Sequence, residues 1–204
     1  MLRINRKLII ECIELDKMKE KESKASQTFL SKKIATAAVF VGVGIVLGLL
    51  NPFAYYPIFG AKIFPFAHMV NAITGVLIGF TFSCLTALGI AIIRFSLGIG
   101  SIHAFHGGIS GAIVVGSTAY LLWKKAPEKV HFAALTEPLG TVFIGGTIAH
   151  FVAPIGGLSI MESVFFWWAL FASSCVPGCI IGFLVLEVLK KAGISRADYI
   201  EKSQ

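Results

Sequence analysis

Charge is what this sequence has least of over its longest stretch. From Ile34 to Leu189, 156 residues carry only nine charged side chains: Lys62, Arg94, Lys124, Lys125, Glu128, Lys129, Glu137, Glu162 and Glu187. A soluble domain must cover itself with polar residues, so this scarcity excludes one. Several chemistries are missing as well. No Gly-x-x-x-x-Gly-Lys-Ser/Thr loop occurs, which excludes ATP binding in the P-loop manner. There is no His-Glu-x-x-His zinc motif and no Gly-x-Ser-x-Gly nucleophile turn. Of four cysteines, Cys84, Cys175 and Cys179 sit in apolar segments as small hydrophobes. Cys175 and Cys179 share a helix face but lack a second pair to complete a zinc site, so no metal centre is expected. Residues 1–33 have neither the apolar core nor the cleavage site of a secretory signal. A lone secondary transporter usually shows internal repeats with paired broken helices, and no such repeat is visible.

What is present is a succession of apolar runs long enough, at about 17–25 residues, to cross a ~30 Å hydrocarbon layer as helices. They fall at about 34–50, 65–80, 82–98, 104–123, 132–152 and 162–189. The uncharged run Phe64–Ile93 spans 30 residues and as one helix would reach about 45 Å, so a tight hairpin near Gly79, Phe80 and Thr81 is expected to divide it. The positive-inside rule favours the same division. With six helices and both termini cytoplasmic, sixteen of the eighteen Lys and Arg residues lie inside, leaving Lys62 and Arg94 outside. Five helices would put ten on one side and eight on the other, hardly a bias. The predicted fold is therefore all-α, a polytopic cell-membrane protein of six transmembrane helices. A cytoplasmic tail occupies residues 1–31, the membrane domain 32–191 and a second cytoplasmic tail 192–204. Met18 is an alternative start, which would make residues 1–17 dispensable. The net charge of +7 belongs to loops and tails beside anionic lipid, and nucleic acid is not implied.

Small residues recur at a spacing of four: Ala38 and Gly42, Gly44 and Gly48, Gly75 and Gly79, Gly107 and Gly111, and Ser174, Gly178 and Gly182. In lipid such stripes let helix backbones approach closely. Most are expected to pack the bundle internally, while the stripe on the first helix is also suited to docking a separate membrane partner.

Polar side chains at membrane depth are costly and usually face protein or a water-filled cavity. In the six-helix arrangement most of them fall toward one side: His68 and Asn71 on the second helix, Arg94 on the third, His103 and His106 on the fourth, His150 on the fifth, and Glu162 and Trp167 at the sixth. Convergence from five helices predicts a small-molecule pocket with aromatic walls and a few polar groups. The loops Asn51–Pro65 and Gly98–Gly108 are composed as turns or as lids over it. His103 and His106, three residues apart, are the alternative nucleus of an intramembrane enzyme. Glu137 reads as a helix start, with Thr136 as cap and Pro138 in the first turn; as a proton-coupling carboxylate it would need a titratable partner that the sequence does not identify.

Four segments carry a specific resemblance: Phe64-Pro-Phe-Ala-His-Met-Val-Asn71, Arg94-Phe-Ser-Leu-Gly-Ile-Gly100, Ala104-Phe-His-Gly-Gly-Ile-Ser-Gly-Ala112 and Glu137-Pro-Leu-Gly-Thr141. In order and spacing, over about Lys32–Lys190, the chain resembles the ThiW family, substrate-binding S components of energy-coupling factor (ECF) transporters. The resemblance implies a six-helix module that captures the thiamin precursor hydroxyethylthiazole. It also implies association with a transmembrane T component and two ATPases, which use the ATP; the chain itself needs no cofactor. Docking to the T component would run through the first helix at Ala38 and Gly42. Two positions depart from the family pattern, Ala67 where Gln commonly precedes the motif histidine and His106 in place of proline in Phe-Pro-Gly.

Overall fold

The computed structural model describes residues 6–51, 63–152 and 163–200, with side chains from residue 13 onward. Lys62, Glu162 and most of the loop 51–65 lie outside the described residues. Six α-helices organise the chain: α1 (Arg6–Leu49), α2 (Pro65–Leu77), α3 (Phe80–Ser96), α4 (His103–Lys125), α5 (Gly146–Val152) and α6 (Val164–Lys191). Between α4 and α5 the chain stays helical but changes winding, first 3-10 over Pro127–Thr136 and then π over Leu139–Gly145. There is no strand among the described residues.

Among the described residues four helical stretches are long and apolar enough to cross a membrane: Ile13–Leu49, His103–Lys125, Pro127–Val152 and Val164–Lys191. The predicted second and third spans are shorter, 13 and 17 residues, or about 20 and 25 Å. Their brevity has a packing reason in α2, where Pro65 and every residue from His68 to Leu77 are buried. A helix surrounded by protein does not have to match the thickness of the hydrocarbon. The hairpin between α2 and α3 falls where the sequence places it. Gly79 takes φ +84, a left-handed conformation that glycine adopts without strain, and its carbonyl accepts from Ser83 N at 3.0 Å.

Close approaches at glycine fix the register. Gly178 and Gly182 of α6 lie against Pro65, His68, Met69 and Ala72 of α2, so these two helices run parallel. Gly44 and Gly48 of α1 pack on Ile90 and Arg94 of α3, also parallel. Gly116 of α4 meets Phe80, while Gly140 and Gly145 meet Ser110 and Gly107, giving antiparallel neighbours. Ala38 and Gly42 are exposed on α1, with nothing within 4 Å of a Cβ built at Gly42. The starts of α2, α4 and α6 and the ends of α1 and α3 consequently gather at one end of the bundle. Lys124, Lys125, Lys129, Lys190 and Lys191 gather at the other.

The N-terminal segment is helical and continuous with the first span, α1 running unbroken from Arg6 through Leu49, with Lys24 and Glu20 paired one turn apart at 2.7 Å. One expectation changes. The fifth span does not begin at a Thr136 cap. Helical structure starts at Pro127, and the Thr136 hydroxyl donates to Ala133 O at 2.8 Å, with Thr118 Oγ1 3.3 Å away.

Candidate functional site

At the end of the bundle away from the lysines lies a cavity of about 700 Å³. Its wall is built by the first turns of α2, α4 and α6, the last turn of α3 and the segment 98–102. Local anchors set these helix starts. Pro65 occupies the first turn of α2, where its missing N–H is no loss, and the preceding Phe64 N donates to Ser174 Oγ of α6 at 3.1 Å. Asn51 Nδ2 donates to Ile63 O at 2.7 Å, tying the end of α1 to the approach to α2. Ser163 caps α6 through Phe166 N at 3.3 Å.

Four predicted residues line the cavity: His68, Arg94, His103 and Trp167. Arg94 is 6% exposed and its guanidinium lies 3.7 Å from the centre of the Phe64 ring, a cation–π contact. No carboxylate pairs with it among the described residues, and its Nε has no hydrogen-bond partner. Trp167 is 1% exposed, tilts against His103 at 4.9 Å and leaves Nε1 unpartnered. Buried donors without acceptors are expensive, and both belong to residues that a ligand in this cavity would meet.

Two further predicted residues stand one layer back. His106 reaches His103 with Nε2 at 3.0 Å from Nδ1 and stacks on Phe171. Asn71 donates to Gly108 O at 2.9 Å and, more weakly, to Glu137 Oε1 at 3.4 Å. His150, in α5, contacts Phe151 and is not part of the cavity wall. Glu162 falls outside the described residues.

Glu137 is the residue whose reading changes most. It is completely buried, and the carboxylate is the centre of a network. Oε1 accepts from His68 Nδ1 at 2.8 Å and from Thr141 Oγ1 at 2.7 Å, and Cys175 Sγ donates to Oε2. Thr141 Oγ1 also lies 3.0 Å from Gly107 O, and its single proton serves one of the two acceptors at a time. The titratable partner that the sequence did not identify is therefore His68. The π-helical winding just beyond Glu137 fits this role, since such bulges concentrate at functional sites, and it carries Gly140 past the Ser110 carbonyl where a Cβ would collide.

With His68 Nδ1 as the donor to Glu137, Nε2 is the ring nitrogen left without a bond among the described residues. The donor atoms of His68, Glu137 and Cys175 also lie within 4.8 Å of one another, a spacing at which they could hold a metal ion. The hydrogen bonds account for the same arrangement without one, because every donor in the group already meets a Glu137 oxygen.

A family model described as thiamine-precursor transporter protein (ThiW) matches residues 34–192. The chain belongs to the ThiW family. Comparison with curated proteins and with solved structures found no match. ThiW is a family of thiamine-precursor transporters, and with its long apolar helices this member is a membrane transport protein. Of the ThiW-like segments, Phe64–Asn71, Arg94–Gly100 and Ala104–Ala112 border the cavity, and Glu137–Thr141 supplies the carboxylate and hydroxyl behind it. Glu137, Thr141 and Cys175 are the site residues that sequence reasoning missed. The signal for the first two was their place in one ThiW segment, four residues apart and so on one helix face. Cys175 had no comparable signal.

Proposed function

We propose that this ThiW chain is the substrate-capturing S component of an ECF transporter and that its solute is hydroxyethylthiazole. It crosses the membrane six times, α2 and α3 serving as the second and third spans, with both termini cytoplasmic. The lysine-rich end then faces the cytoplasm by the positive-inside rule, and the cavity opens outward. The observation that carries this reading is a cavity at the lysine-poor end with aromatic walls, an Arg94 without a carboxylate partner among the described residues and a histidine held by a buried carboxylate. Its volume lies within the range of about 300–1,000 Å³ usual for small-molecule sites.

In this reading the thiazole ring packs against Trp167 and Phe171. His68, oriented through Nδ1 by Glu137, offers Nε2 to the hydroxyl of the substrate, and Arg94 donates to an acceptor atom. Asn71 acts behind His68, holding Glu137 and the start of α4 together. No covalent step is involved. Energy comes from a T component and two ATPases, and the T component docks on the open face of α1, where Ala38, Val39, Gly42 and Val46 are exposed.

Unfolding temperatures of the purified chain with hydroxyethylthiazole, thiamin, the aminopyrimidine precursor and unrelated vitamins test the substrate. Only hydroxyethylthiazole is expected to raise the temperature, since a ligand of the native state stabilises by mass action. A shift by another solute and none by the thiazole refutes the assignment. In Arg94→Ala and His68→Ala the shift is expected to disappear; retention in both removes the proposed site. Ala38→Trp is expected to abolish copurification with a T component while preserving the thiazole shift, and copurification at wild-type level would place docking elsewhere.

A further inference from the structure

The lysine-rich end holds a second cavity, of about 500 Å³, between α1, the α2–α3 hairpin, α4 and the segment after α6. Its construction starts at Gly193, which takes φ +83 and turns the chain beyond α6. Ile194 N then bonds back to Leu189 O at 2.9 Å. Asp198 Oδ2 accepts from Ser195 N at 2.7 Å and from Ser195 Oγ at 3.3 Å, fixing a single 3-10 turn. That turn drives Arg196 beneath the end of α2, where it is only 3% exposed.

Arg196 Nη1 donates to Gly75 O at 3.2 Å and Val76 O at 2.5 Å. These are last-turn carbonyls of α2, which an α-helix leaves without partners and which favour a cation. Capping of α2 therefore uses Nη1. It does not use Nε, which is buried without a hydrogen-bond partner. Burial draws the Arg196 pKa from 12.5 down to about 10, so the group is still cationic at neutral pH. Lys33 of α1 lines the same cavity, and among the described residues no Asp or Glu does. The remaining wall is mostly apolar and aromatic, with Phe80, Tyr120, Trp123 and Ile200. Two cations above an apolar aromatic wall match an amphiphile with an anionic head. Basic pockets between membrane helices bind phospholipid head groups on the cytoplasmic side, and a free anion would have no use for the wall.

We propose that this cavity is an anionic phospholipid site, the phosphate lying between Lys33 and Arg196 and an acyl chain running along Phe80, Tyr120 and Trp123. The lipid would brace the hairpin that carries α2, and with it His68, from the end opposite the transport cavity.

Delipidated full-length chain in neutral detergent, titrated with phosphatidylglycerol, phosphatidylcholine or inorganic phosphate, tests the site by thermal unfolding and by native mass spectrometry. Phosphatidylglycerol is expected to give a saturable rise of several degrees and one retained lipid, and the other two to give neither. Lys33→Glu is expected to weaken the phosphatidylglycerol response about tenfold. Lys124→Glu, a reversal on the same end but outside the cavity, is expected to leave it unchanged. Equal responses to the two lipids overturn the proposal, and so does inorganic phosphate reproducing the phosphatidylglycerol shift, which would mark a soluble-anion site. Equal losses in the two lysine variants would mean diffuse surface attraction and also refute it.

Discussion

Replacing Glu137 with alanine is expected to be the most destabilising single change in the bundle, at about 3–5 kcal/mol, because several buried donors lose a bond to the carboxylate at once. The loss is not one contact. Four side chains bond to Glu137: His68 and Asn71 on α2, Thr141 in the π-helical turn and Cys175 on α6. Asn71 and Thr141 keep the carbonyls of Gly108 and Gly107, while the bonds of His68 Nδ1 and Cys175 Sγ go with the carboxylate. Each buried donor left unsatisfied costs about 1–3 kcal/mol. Glu137→Gln is expected to be milder, because one oxygen remains to accept while the new NH2 faces a neighbour that is itself a donor. Urea or thermal unfolding in detergent measures both. A Glu137→Ala variant within 1 kcal/mol of wild type would mean that the carboxylate is not the hub its geometry describes. The double variant with His68→Ala separates stability from function: the two changes should be far from additive, since they share one interaction.

Gly178→Ala is expected to have the second-largest effect, and through a different route. A Cβ at Gly178 would strike the Pro65 carbonyl oxygen and come within 2.7 Å of His68 Cβ. The first obstacle is backbone at the start of α2 and cannot rotate away, so α2 and α6 must separate. Overpacking of this kind costs about 1–3 kcal/mol. In a membrane, where close backbone contact replaces hydrophobic drive between helices, the lost packing is not recovered elsewhere. Because the displaced turn carries His68, thiazole affinity should fall with stability, by at least about tenfold. Gly42→Ala is the matched control. Nothing lies within 4 Å of its Cβ, so the isolated chain should keep its stability within about 0.5 kcal/mol and bind ligand as before. Unfolding and binding measured on both variants decide the point, and equal behaviour would deny Gly178 its packing role.

How much of this was legible in the sequence depends on the distance over which each residue acts. The hairpin at Gly79 could be read because it follows from the length of one uncharged run and a residue free to adopt positive φ. The gathering of His68, Arg94, His103 and Trp167 around one cavity could be read because helix ends alternate in a bundle, so placing charges places polar neighbours. The Glu137 network could not. Its members come from positions 68, 71, 137, 141 and 175, and they meet only because α2 lies against α6 and beside the fifth helical stretch. The spans from Pro127 to Val152 misled for a related reason. Thr-Glu-Pro has the composition of a helix start, but tertiary packing drew Glu137 inward and left Thr136 to bond within its own turn. The two small-residue stripes of α1 looked alike in sequence, yet Gly44 and Gly48 pack on α3 while Ala38 and Gly42 are open. Three of the nine sparse charges likewise acquire separate explanations. Arg94 lines a cavity, Glu137 meets His68, and Glu187 meets His131 at 2.9 Å at the lysine-rich end.

Equilibrium dialysis of hydroxyethylthiazole against the purified chain, without ATPases or T component, is the most direct measure of substrate capture. The account predicts saturable binding at one site per chain, unchanged by ATP, with affinity lost in Arg94→Ala and Trp167→Ala. Absence of saturable thiazole binding in a folded wild-type chain, or undiminished binding in both cavity variants, would contradict it.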